Sequence, residues 1–146
     1  MDFPPEPYAP AFELARTEGL ASVPHAGEIA VPASIRGALD ALHANRIRHG
    51  IRAVDCPVSN VRTGAVPSLQ EHPLRELAGA GVRCSVSTDD PAMFDTDLER
   101  EYEAAASLGL EPRRAYENGV AGALCDDTTR ERLRSIGESF DWRSLP

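Results

Sequence analysis

The sequence predicts an α/β fold, and three observations carry that prediction. Short β-rich runs alternate with segments whose apolar residues recur at helical spacing. Glycine and proline stand at the joints between these segments. Side chains able to bind a metal or move a proton stand where two of the short runs end, and strand ends are where parallel α/β folds place their chemistry.

Taken in order, Pro10 suits an early helical position, Phe12, Leu14 and Ala15 supply an apolar face, and Gly19 ends the helix. Ala21–Pro24 reads as a strand and runs into His25-Ala26-Gly27-Glu28. A second helix opens at Pro32 or Ala33 and carries Ile35, Leu39 and Leu42 at helical spacing. Arg46–His49 and Val54–Pro57 are short strand candidates, and Ser59–Glu71, with Asn60, Gly64 and Pro67, reads as a long loop. Pro73–Ala80 is a helix closed by Gly81, and Val82–Ser87 is the clearest strand. Three helices follow, at Asp97–Leu108, Pro112–Leu124 and Asp127–Phe140, the last with a capping box from Thr128 and Glu131. The acidic run Asp95–Glu103 reads as a solvated helix start, and Phe140 and Trp142 as anchors of the last helix. One connection is too short. Only Gly50–Ala53 separates two strand candidates, whereas parallel neighbours need a crossover of ~10–12 residues.

The 146 residues can bury one good core but fall short of the ~250 of a usual single-chain (β/α)8 barrel. Net charge is -8, with 15 Arg and no Lys, which argues against nucleic acid and anionic membranes as partners and suits a small neutral or cationic substrate. No apolar run reaches the ~20 residues of a membrane span, and the acidic, proline-rich start is unlike a signal peptide. Cys56, Cys84 and Cys125 are odd in number and lack CxxC spacing, so a reducing cytoplasm is the expected compartment.

Two stretches carry the chemistry. His25 offers an imidazole nitrogen and Asp89 a carboxylate oxygen, both suited to zinc. Glu28, three residues past His25, is a candidate proton shuttle, and His49 a candidate group to orient or deprotonate water. Asp90 offers an acceptor for a nitrogen base; equally, Asp89-Asp90-Pro91 suits the cap of a turn. His43 reads as a surface histidine, and His72, just before Pro73, as a helix-entry hydrogen bond. The HxxE spacing differs from the H-x-E…P-C-x-x-C pattern of cytidine-type deaminases.

Phe3-Pro4-Pro5 through Gly19-Leu20, His25–Glu28, Arg46–Gly50, Cys56–Asn60, Thr63-Gly64, His72-Pro73-Leu74, Ser87–Pro91 and Phe94–Leu98 resemble, in order, segments of the adenosine deaminase family of zinc-dependent amidohydrolases. The resemblance implies a partial (β/α)8 TIM barrel, its C-terminal half, with C-terminal helices packed outside. It implies His25 and Asp89 as zinc ligands, Glu28 as proton donor, His49 as the catalytic histidine and Asp90 as the purine contact. Three departures stand beside it. No His-x-His pair is present, Arg48 replaces a usual glycine, and a helix and strand are absent between His49 and Cys56. Residues 1–146 are therefore expected to be a truncated deaminase domain, lacking the N-terminal barrel half and that internal segment.

The activity implied is zinc-dependent hydrolytic deamination of adenosine or a related 6-aminopurine to the 6-oxo product and ammonia. Two alternatives stand: a catalytically incompetent remnant, and a family member acting on adenine or another aminopurine derivative. The implied partner is a purine nucleoside, with no nucleic acid or membrane. An open half-barrel further implies self-association or a complementing N-terminal half.

Overall fold

A computed structural model describes residues 4–27, 33–49 and 53–144. The chain divides into two compact units, Met1–Ala53 and Val54–Pro146.

In the first unit a short 3-10 turn, Glu6–Tyr8, feeds helix α1 (Ala9–Thr17), with Pro10 in its first turn. The helix stops where predicted. Gly19 has φ +80°, its N–H bonds the Arg16 carbonyl at 3.0 Å, and the Leu20 N–H reaches back to Ala15 at 2.9 Å. This is the left-handed helix ending that a Cβ would penalise. Helix α2 spans Ala33–Asp40 and strand β1 Ile47–Arg48. Ala26, Ala38 and Ile47 form the core, with Ile35 and Ala44 against them. Leu39, expected on the buried face, is 43% exposed. The inward stripe is instead Ile35, Ala38 and Leu42.

Ala21–Pro24 does not form the expected strand. The Ser22 N–H is taken by the Asn45 side chain at 2.9 Å, and Pro24 has no N–H to offer a ladder. Pairing is confined to a parallel bridge between His25 and Arg48. The Arg48 N–H donates to Pro24 at 3.0 Å, and the Ala26 N–H to Arg48 at 3.1 Å.

In the second unit β2 (Ala53–Asp55) pairs in parallel with β3 (Ser85–Val86), Val54 opposite Ser85 and Asp55 opposite Val86. Two expectations are corrected here. The strand expected at Val54–Pro57 ends at Asp55, because Pro57 opens helix α3 (Pro57–Arg62). The expected long loop Ser59–Glu71 therefore begins inside a helix, and it closes in a 3-10 turn at Leu69–Glu71. Helix α4 (Leu74–Gly79) ends as predicted at Gly81, φ +79°, with Val82 N–H returning to Leu77 at 3.0 Å.

Helices α5 (Pro91–Phe94), α6 (Leu98–Ser107), α7 (Pro112–Ala121) and α8 (Asp127–Ser139) follow. Helix α7 stops three residues before Leu124. The capping box assigned to Thr128 and Glu131 is not the device used. Asp126 caps α8, accepting the Thr129 N–H at 2.8 Å and the Thr129 hydroxyl at 2.9 Å. Leu74, Cys84, Ala105, Leu108, Leu110 and Ala115 make the core, in which α6 and α7 cover β3. The Asn118 amide donates to the Cys84 carbonyl at 2.8 Å, pinning α7 to the strand entry. Trp142 closes the end of α8 as expected. Its indole N–H bonds the Gly137 carbonyl at 2.7 Å, and its ring meets Phe140 and Tyr116. Among the described residues no helix is long and apolar enough to cross a membrane.

Candidate active site

The predicted site residues fall in both units, beside an isolated parallel bridge in the first and beyond a parallel strand pair in the second. In the first, the bridge at His25 and Arg48 sets the register, so residues 24 apart in sequence end side by side. The Nδ1 of His25 lies 3.1 Å from the Nε2 of His49, with ring centroids 5.0 Å apart and planes tilted 45°. One proton serves that contact, so one ring donates and the other accepts. His25 is exposed and His49 buried, and His49 adopts φ +67°. A left-handed non-glycine backbone persists only where the surroundings hold it. Glu28, the predicted proton donor, lies outside the described residues.

In the second unit β2 delivers Ser59 and β3 delivers Asp89. The Ser59 hydroxyl, in the first turn of α3, donates to Asp89 Oδ2 at 2.9 Å. Asp89 also has a left-handed backbone, φ +57°. Asp90 is exposed, and its Oδ1 accepts the Met93 N–H at 2.9 Å as the N-cap of α5. The turn-capping role foreseen for this Asp-Pro pair is thus occupied by Asp90, while Asp89 is held by a side chain 30 residues away.

Two features were not singled out from sequence. The first is Glu101, which is fully buried and so corrects the view of Asp95–Glu103 as a solvated face. Its Oε2 accepts the Val58 N–H at 3.0 Å and its Oε1 the Thr96 hydroxyl at 3.2 Å. Burial, with the nearby Asp89 charge adding to it, pushes this carboxyl above the usual range, and the hydrogen bonds oppose the rise. A signal was available: Glu101, Ala104, Ala105 and Leu108 share the spacing of one helix face, and all four are buried. The second is the buried pair Asn60 and His72, 2.9 Å apart, where His72 Nδ1 also accepts the Leu74 N–H at 3.1 Å. That is the helix-entry bond expected of His72. Burial lowers its pKa to about 4. His43 is exposed, in keeping with a surface role.

Imidazole nitrogen and carboxylate oxygen have the right chemistry for zinc. Their number is short. Among the described residues no group of three His, Cys, Asp or Glu side chains could hold a metal. His25 and Asp89 each offer a donor of a type that zinc accepts.

The first unit thus places a histidine pair beside a parallel bridge, and the second places a carboxylate beyond a parallel strand. The adenosine deaminase family profile matches residues 2–55 and 54–137, and the chain belongs to that family. The match divides at the connection too short for a crossover. Among relatives, an aminodeoxyfutalosine deaminase from Acidothermus cellulolyticus is 46% identical over 95% of this chain and 46% of its own length. An adenine deaminase from Rhizobium leguminosarum bv. trifolii is 40% identical over 86% of this chain and 46% of its own. The crystal structure of an adenine deaminase from Arthrobacter aurescens superposes with a TM-score of 0.84 at 29% identity, covering 92% of this chain and 48% of that one. An amidohydrolase from Burkhoderia ambifaria, solved with bound Zn, gives a TM-score of 0.84 at 26% identity over 99% of this chain and 46% of its own. The chain thus spans about half the length of the relatives it matches.

Proposed function

We propose that this chain carries part of the active site of a zinc-dependent deaminase that hydrolyses a 6-aminopurine to its 6-oxo product and ammonia. The proposal rests above all on one observation. The parallel bridge at His25 and Arg48 brings His25 Nδ1 to 3.1 Å from His49 Nε2, joining the HAGE and RIRHG segments that resemble the family's metal-ligand and catalytic-histidine segments. Relatives named for aminodeoxyfutalosine and adenine deamination support an aminopurine substrate. The parallel pair β2 and β3, each strand followed by a helix, supports the C-terminal half of a (β/α)8 barrel in residues 1–146. The division of the family match supports a missing helix-strand segment near residue 54.

His25 and Asp89 would hold zinc, together with donors supplied by another segment or a complementing half. Zinc, when bound, lowers the pKa of its water to near neutrality. His49 would orient that water and take its proton while the water oxygen adds to the carbon bearing the amine. Glu28 would protonate the adjacent ring nitrogen, and the carbon–nitrogen bond would break as the amine takes the proton held by His49 and leaves as ammonia. Asp90, through the oxygen not engaged with Met93, would accept from a purine N–H. The second reading, an incompetent remnant, is favoured by the shortfall in ligands among the described residues. Titrating the purified chain with zinc and assaying turnover of adenosine, adenine and aminodeoxyfutalosine separates the two. Ammonia release on one of these with zinc present supports a deaminase and names its substrate. No release and no zinc uptake support the remnant.

A further inference from the structure

We propose that Glu101 is a positioning residue for the Asp89 carboxylate, acting through the first turn of α3 and Ser59. The inference begins with an unfulfilled local requirement. The first N–H groups of a helix need acceptors, and Cys56, at the N-cap of α3, makes no side-chain cap bond. Pro57 contributes no N–H, so the Val58 and Ser59 amides are the first that need a partner. Glu101 supplies it from α6. Its Oε2 accepts the Val58 N–H at 3.0 Å, one residue before Ser59.

Ser59 thereby follows directly on the residue that Glu101 anchors, and its hydroxyl donates to Asp89 Oδ2 at 2.9 Å. Ser59 is 1% exposed, so it has little room to take another pose. The other oxygen of Glu101 is held by the Thr96 hydroxyl at 3.2 Å, which leaves the carboxylate little freedom. A fully buried acid is costly and is retained where its partners need it. Every partner here belongs either to the turn that carries Ser59 or to Thr96, which holds Glu101 in place. Asp89, in a left-handed backbone, is itself a residue that its neighbours must hold.

The consequence for metal binding rests on reading Asp89 as a ligand, so the test has two arms. The chain is prepared as wild type, Glu101→Gln, Ser59→Ala and the double variant. In the metal-free arm the amide and side-chain carboxylate resonances of Asp89 are followed by NMR. They are expected to move in the same direction in both single variants, and the double variant to add little to Ser59→Ala. In the second arm zinc affinity is measured by competition with a chromophoric chelator. Each single variant is expected to weaken it by about 10- to 100-fold, the range for residues that orient a metal ligand. A Glu101→Gln variant with a lower melting temperature but wild-type Asp89 resonances would overturn the proposal, since Glu101 would then be a helix cap and nothing more. If the wild-type chain takes up no zinc, the metal reading fails, and the metal-free arm alone decides whether Glu101 positions Asp89.

Discussion

Lowering the pH should destabilise the fold through His72, with a size the structure supplies. The His72 Nδ1 accepts the Leu74 N–H at 3.1 Å, so in the neutral ring the proton sits on Nε2, facing the Asn60 amide at 2.9 Å. The amide must therefore present its oxygen there. A second proton would have to go on Nδ1, where it would displace the Leu74 bond and set donor against donor. Burial reinforces this, and the folded pKa falls from 6.5 to about 4. Because the folded value is the lower one, the unfolded chain takes the proton first as pH falls. The stabilisation is complete above pH 6.5, is lost between 6.5 and about 4, and changes no further below that. At about 1.4 kcal/mol per pH unit, that window corresponds to about 3 kcal/mol. Urea unfolding of wild type and His72→Gln at pH values from 7.5 to 4 checks it, since other titrating groups cancel in the difference. The wild-type advantage should shrink by about 3 kcal/mol across the series. A difference that stays constant with pH would refute the argument.

Other outcomes are expected at sites with different physics. Gly137→Ala should destabilise despite alanine's better helix propensity of about 1 kcal/mol, because the new methyl would overlap the Tyr116 ring, itself tethered to the Leu133 carbonyl at 2.8 Å. A raised melting temperature would contradict this. Asn118→Ala should cost about 1 kcal/mol in chemical denaturation, since the hydrogen bond from the Asn118 amide to the Cys84 carbonyl is lost. Asp90→Asn should leave stability unchanged in urea unfolding, asparagine being as good an N-cap, and under the proposed function it should weaken purine binding in calorimetry. Glu28→Gln should reduce any measured turnover by about 10²- to 10⁴-fold, the usual worth of a placed proton donor, with zinc affinity retained. Full turnover in that variant would remove Glu28 from the mechanism.

The candidate residues of the two units are aligned differently. His25 and His49 are aligned by backbone, through one parallel bridge that needs no particular side chain at Arg48. Asp89 is aligned by side chains, through Ser59 and the buried Glu101. Substitution at Arg48 should therefore leave the histidine pair in register, which makes Arg48→Gly a clean test of whether a guanidinium beside His49 hinders catalysis.

What the sequence determined by itself is what short-range forces decide. Gly19 and Gly81 end their helices because the left-handed ending is open to glycine and costly to others, a preference independent of the rest of the chain. The family was legible because the residue types of its segments and their order carry its pattern. What only the tertiary structure decided depends on partners distant in sequence. Helix α3 looks like loop in sequence because its first turn is satisfied by an acid 43 residues away from Val58. Glu101 looks solvated because a charged residue belongs outside by default, and only its buried partners reverse that balance. Ala21–Pro24 has the apolar character of a strand, but a proline and the bond its Ser22 N–H donates to the Asn45 side chain confine its pairing to a single bridge. Propensity and spacing act over a few residues, whereas desolvation and hydrogen-bond satisfaction are settled only when remote segments meet.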